Sequence, residues 1–214
     1  MKKYLITLFV CILSFCIAPI SQANFITNGN FDTGLDGWST SGDVDWETGG
    51  ASPLSGGYAL LGSDSTSATS ILSQSFAIAD GTERLAVSFS YKFTGVDTSS
   101  YNYDSVLATL RQYIWGGALQ IASNELLSLV SPNEFGSGTY YGEVNVADWL
   151  WWDANLGNLR FILDESNTSY TNTQFAVDNV NVAAPVPEPS TLMLILLAGP
   201  VCAVGAGIRK KMIG

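Results

Sequence analysis

The sequence predicts an all-β fold, an antiparallel two-sheet β-sandwich of jelly-roll type, and three observations carry that prediction. Leu85, Val87, Phe89, Tyr91 and Phe93 recur at every second position with Ala86, Ser88, Ser90 and Lys92 between them, the period of a strand with one buried face. Nine or ten such stretches fit between residues 24 and 184, separated by clusters of Gly, Asn, Asp and Ser that turn the chain between strands. No helical period is sustained over that interval, whose length suits one sandwich domain.

The elements follow in order. Lys2 and Lys3 precede the apolar run Tyr4–Leu13, Pro19 ends it, and Ser21-Gln22-Ala23 places small residues before a cleavage point. This is the pattern of a signal peptide over residues 1–23, with the mature chain starting near Asn24. Phe15 stands before Cys16 where a lipoprotein signal needs a small residue. The expected strands are Phe25–Thr27, Gly42–Trp46, Tyr58–Leu61, Ser70–Ile78, Leu85–Phe93, Tyr103–Trp115, Ala118–Ala122, Tyr140–Val144, Leu159–Leu163 and Phe175–Val182. Val146 to Trp152 reads as a helical turn. In the last strand Phe175 and Val177 are out of phase with Val180 and Val182, so a β-bulge at Asp178-Asn179 is expected to return both pairs to the core face.

The C-terminal tail, residues 185–214, has three parts in sequence. Val186-Pro187-Glu188-Pro189 leads, an apolar segment of about 192–208 follows, and Arg209-Lys210-Lys211 closes it. As a helix the segment measures ~25 Å, the short limit for a transmembrane span. The basic cluster places the C-terminus in the cytoplasm and the domain of residues 24–184 outside.

Composition narrows the function. All three cysteines, Cys11, Cys16 and Cys202, lie in the terminal apolar segments, so the domain between them has no disulfide, and the chain has no histidine. Triads built on histidine, thiol catalysis and zinc sites of the usual composition are therefore excluded. Between Asn24 and Ala184 four basic residues face eighteen acidic ones, a net charge of −14. That balance excludes nucleic-acid binding, disfavours polyanions, and supplies oxygen ligands for hard cations. A carboxylate pair acting on a polysaccharide is the surviving catalytic option, but the spacing of Glu47, Glu83, Glu125, Glu134, Glu143 and Glu165 singles out no acid and nucleophile. No catalytic residue is assigned.

Val186-Pro187-Glu188-Pro189-Ser190-Thr191-Leu192, the apolar helix and the terminal Arg209-Lys210-Lys211 together resemble the PEP-CTERM signal read by exosortases. The resemblance implies removal of the tail by that membrane enzyme and transient anchoring through the helix before processing. A second resemblance joins the ends of the domain. Asn28-Gly29-Asn30-Phe31-Asp32-Thr33-Gly34-Leu35-Asp36-Gly37-Trp38 is similar to the opening of galactose-binding-like and carbohydrate-binding-module jelly rolls, and Phe175-Ala176-Val177-Asp178-Asn179-Val180-Asn181-Val182 to their closing strand. It implies adjacent first and last strands, Asp32 near Asp178, and a structural Ca²⁺ held by those two carboxylates with backbone carbonyls. Asp32–Asp43 is not an EF-hand loop, since Gly34 and Asp43 stand where Asp or Asn and Glu are required.

Flat rings are the natural platforms for pyranose faces. Trp38 is assigned to the core; Trp115, Trp149, Trp151, Trp152 and Tyr140 are the candidate ligand-binding rings, with Trp46, Tyr101, Tyr103 and Tyr141 beside them. The leading expectation is an exported, non-catalytic surface or matrix protein that binds extracellular polysaccharide. A purely structural matrix or adhesion protein without a glycan site is the alternative, and a polysaccharide-acting enzyme the third.

Overall fold

The computed structural model describes residues 24–62, 69–95, 104–130, 136–146, 155–165 and 173–185. The chain divides into two compact units, Gln22–Ala184 and a second composed of Met1–Ser21 with Pro185–Gly214; all the strands belong to the first. Ten of them are described: β1 Ser39–Ser41, β2 Val44–Thr48, β3 Gly57–Leu61, β4 Thr69–Ala77, β5 Arg84–Gly95, β6 Ser105–Ile114, β7 Leu119–Val130, β8 Ser137–Asn145, β9 Leu156–Asp164 and β10 Gln174–Ala183. They form two five-stranded sheets, ordered β1-β4-β9-β6-β7 and β2-β3-β10-β5-β8, with every pairing antiparallel. This is the jelly-roll sandwich.

Period-2 alternation puts the apolar rows between the sheets. Leu85, Val87 and Phe89 of β5, Leu159, Phe161 and Leu163 of β9, and Val106, Ala108 and Leu110 of β6 are all fully buried. Phe161 meets Phe89 edge-on at 5.0 Å and Trp38 at 6.3 Å, and Trp38 meets Phe31 at 5.3 Å. Each fully buried side chain of this size contributes ~1.5–3 kcal/mol relative to exposure, so this cluster holds the two layers together.

The last strand carries the expected irregularity. Its register against β5 shifts between Asp178 and Asn181, and Asn179 adopts a left-handed backbone with φ 52°. Pairing of β10 with β3 stops at Val177. Beyond that point the N-terminal segment takes over the vacant edge. Val180 N–H donates to Gly29 O (2.7 Å) and Phe25 N–H to Val182 O (2.7 Å), while Asn24 Oδ1 accepts from Val182 N (3.0 Å). Buried backbone groups need partners, and this segment supplies them.

Two expected elements differ and one strand is additional. Phe25–Thr27 is not a strand: Asn24 forms an isolated bridge with Ala183, after which the chain bends. Left-handed Asn28 and Phe31, both at φ 51°, bend it further. Ser39–Ser41 is an additional edge strand, too short and polar to signal itself by alternation. The strand expected over Ala118–Ala122 runs to Val130, because register shifts opposite Ala108/Thr109 and Gln112/Tyr113 interrupt its period. The helical turn expected over Val146–Trp152 falls almost wholly outside the described residues.

Candidate functional site

The outward face of the first sheet carries a cleft of about 610 Å³. Alternation decides its lining. On β9, Leu159 and Phe161 point inward, so Asn158 and Arg160 point out; on β6, Leu110 and Gln112 are buried and Arg111 and Tyr113 emerge. Ser73 and Ser75 of β4 and the residues of β1 form one wall, and Gly116 and Gly117 close the end beyond β6. Asn158 Nδ2 donates to Ser75 Oγ (3.0 Å). Tyr113 Oη and Gln120 Oε1 lie 3.3 Å apart, the hydroxyl donating. The floor thus offers hydroxyls, an amide and two guanidiniums at the fixed spacing of adjacent strands.

The arginines have uncharged neighbours across the ladder. Arg160 faces Ser73 and Thr109, and Arg111 faces Asn158 and Ser123. The Nε atoms of both are buried without a hydrogen-bond partner. Burial first, and then the charge of Arg111, lower the pKa of Arg160, while Tyr113 acts in the opposite direction.

The aromatic candidates among the described residues do not converge on one face. Trp115 follows β6 and is 56% exposed, in the turn that continues into the cleft-lining glycines. Tyr140 lies half-buried on β8, stacked on Phe89 at 5.0 Å, and burial raises its phenol pKa; its neighbour Tyr141 is the exposed ring, at 72%. Trp46, also exposed, donates its indole N–H to Phe31 O (2.8 Å). Trp46 and Tyr141 sit on β2 and β8, opposite edges of the second sheet. Trp149, Trp151 and Trp152 lie outside the described residues.

Asp178 is completely buried. Its Oδ2 accepts from Ser55 N (2.7 Å) and Asn179 Nδ2 (3.0 Å), and its Oδ1 accepts from Asn179 N (2.6 Å). Burial raises its pKa, those hydrogen bonds lower it, and the charge of Asp32 raises it again. The charge of Asp32, whose side chain is exposed, is the smallest of these influences on Asp178. The bulge turns Asp178 inward, where it holds the Ser55 loop. Among the described residues, no group of three or more His, Cys, Asp or Glu side chains is placed to share a metal ion.

A second acidic pair was not singled out by the sequence. Glu165 and Asp104 are both buried, and Thr173 Oγ1 donates to Asp104 Oδ2 (2.6 Å). Burial, then the charges of Asp104 and Asp43, push the Glu165 carboxyl up to about 7, against the backbone hydrogen bond from Thr173. Arg111, Tyr113, Asn158 and Arg160 were also missed. Their signal was present as polar residues at every second position in otherwise apolar strands, but spacing does not say which strands lie side by side.

Val186, Pro187, Glu188, Pro189, Arg209, Lys210 and Lys211 lie outside the described residues; among the described residues no helix is long and apolar enough to cross a membrane. No curated protein sequence matches the chain. The fold is similar to the enzymatically active domain of bacteriophage CBA120 tailspike protein 4, with TM-score 0.54 and 16% identity over 76% of this chain and 21% of that one. This chain thus spans about a fifth of the length of that tailspike domain. It is similar to a cyclase from Fischerella sp. TAU, with TM-score 0.50 and 14% identity over 78% of this chain and 100% of the other. It is also similar to TmCBM61, solved with β-1,4-galactotriose, with TM-score 0.47 and 16% identity over 76% of this chain and 99% of that module. At these identities the likeness is one of fold. Residues 185–211 match the PEP-CTERM protein-sorting motif, and the chain is therefore a jelly-roll β-sandwich followed by the sorting motif of an exported protein.

Proposed function

We propose that the protein is a non-catalytic, polysaccharide-binding component of the cell surface or extracellular matrix, and that the cleft on the first sheet is its binding site. The observation that carries this reading is the cleft itself: a ~610 Å³ groove whose strands present Ser73, Ser75, Asn158 and Tyr113 outward, with a ring among hydrogen-bonding groups as sugar recognition requires. Export delivers the domain to where such polymers are. The test is affinity electrophoresis of the full chain through a panel of neutral and acidic polysaccharides, with Tyr113→Ala and Asn158→Ala alongside. Retardation by at least one polymer, weakened in both variants, supports the reading; equal retardation of parent and variants moves the binding site away from the cleft, and no retardation by any polymer returns the protein to a structural matrix role.

Processing belongs to the same proposal: signal peptidase cleavage near Asn24, and exosortase removal of the tail after Pro187-Glu188-Pro189. Mass spectrometry of the native protein reads both ends. A dominant species still ending in Arg209-Lys210-Lys211 would favour a plain membrane anchor.

A Ca²⁺ shared by Asp32 and Asp178 is the second proposal. Its support is the repulsion between the buried Asp178 carboxylate and the exposed Asp32, which a hard cation with oxygen ligands would relieve. Ser55 and Asn179 already occupy most of the acceptor capacity of Asp178, so an ion would have to displace the Asn179 side chain. Chelation is expected to lower the melting temperature of the parent and not of Asp32→Asn, which leaves the Asp178 hydrogen bonds in place. An unchanged melting temperature with and without chelator sinks the site.

A further inference from the structure

We propose that Arg111 and Arg160 make the cleft a receptor for an anionic sugar unit, whose carboxylate or sulfate is held between the two guanidiniums. The inference rests on the cleft being the glycan site proposed above and names the chemistry of its ligand. The sequence pointed the other way, since a domain of net charge −14 repels a polyanion as a whole. That repulsion is a long-range effect screened over ~8 Å in physiological salt. Contact recognition is decided by the groups that line the site.

Those groups are unusual for this domain. Only four basic residues occur between Asn24 and Ala184, and two of them share this cleft. Arg84, by contrast, pairs with Glu143 at 3.4 Å. Neither Arg111 nor Arg160 is in an ion pair with a described residue. Glu125 is the acidic residue nearest in register, opposite Thr109, and it makes no such pair with them. Two half-buried like charges on neighbouring strands, each with an Nε that has no acceptor, disfavour one another in the empty cleft. An oxyanion between them relieves the repulsion. The planar guanidinium fork matches a carboxylate or sulfate in two-point geometry, while Asn158, Ser73 and Tyr113 remain for the sugar hydroxyls.

The experiment compares one polymer with its charge present and masked. The full chain is run by affinity electrophoresis against polygalacturonate, fully methyl-esterified polygalacturonate, dextran sulfate and neutral galactan. Arg111→Gln and Arg160→Gln are run beside the parent. The expected result is retardation by polygalacturonate or by dextran sulfate, which tells carboxylate from sulfate. The methyl ester should bind about tenfold or more weaker, and each Gln variant should lose a similar factor. The melting temperatures of the variants should stay at or above the parent's, since a like-charge contact is removed. Equal binding of the acid and its methyl ester, or undiminished binding by both variants, overturns the inference. Binding of galactan with no binding of either anionic polymer overturns it while leaving the glycan site intact. Binding of no polymer at all overturns both readings. The ester comparison needs no variant, so a substitution that fails to fold does not block the test.

Discussion

Gly29 and Val180 lie against each other backbone to backbone: Val180 N–H donates to Gly29 O at 2.7 Å, and a Cβ on Gly29 would collide with the Val180 carbonyl oxygen. The contact closes the edge of β10 that β3 leaves open beyond the bulge. Glycine is required here for close approach, which even the smallest side chain would prevent.

Gly29→Ala is therefore expected to destabilise the domain by ~1–3 kcal/mol, the usual cost of forcing atoms into a packed site. Thermal melting of the variant beside the parent measures it. An unchanged melting temperature would mean that the N-terminal segment does not hold this edge.

The opening motif places Trp38 between Phe31 and Phe161, with its indole N–H donating to Asn28 O (3.2 Å). Trp38→Ala should cost ~3–5 kcal/mol as a large-to-small change in the core. Trp38→Phe should cost much less, chiefly the ~1 kcal/mol of the lost hydrogen bond. Denaturant melts of both variants check the order; equal losses would place the ring outside the packed cluster.

Gln74, buried on β4, joins the N-terminal segment by a reciprocal pair: Thr27 N–H donates to its Oε1 (2.6 Å) and its Nε2 donates to Thr27 O (2.9 Å). Gln74→Leu keeps the bulk and strands two backbone groups, each worth ~1–3 kcal/mol when unsatisfied. Faster amide exchange at Thr27, together with a lower melting temperature, is the expected readout. Unaltered protection at Thr27 would contradict it.

The Glu165 carboxyl is raised from the usual 4.5 to about 7, first by burial and then by Asp104 and Asp43. The folded state then binds more protons than the unfolded state between those values. Stability is highest at or below pH 4.5 as far as this group is concerned, and falls as pH rises to about 7. Asp178, also raised, acts in the same direction. Glu165→Gln should melt higher than the parent at pH 8 and reduce, without abolishing, the loss between pH 5 and pH 8. Parallel pH profiles for parent and variant would rule this group out as the source.

The β architecture and the core were legible because strand periodicity is local. Leu85, Val87 and Phe89 declare their buried face within one strand, and all three are fully buried. The bulge at Asp178-Asn179 was legible for the same reason, as a break in phase between two apolar pairs. Phe25–Thr27 misled because an apolar triplet reads as a strand, whereas left-handed Asn28 bends the chain after a single bridge. β7 was read short because two register shifts destroy the alternation that reveals a strand.

The sequence by itself determined a cysteine-free, acidic sandwich followed by the sorting motif of an exported protein at residues 185–211, because composition, charge, motif and period-2 alternation are properties of the linear chain. Tertiary structure alone decided that Arg111 and Arg160 share one cleft. It also decided that Asp178 turns inward to Ser55, 123 positions away, and that Glu165 is buried within reach of the charge of Asp104. Each pairing depends on which strands become neighbours. That order is set by how two sheets of alternating faces close over a common core, which no window along the chain contains.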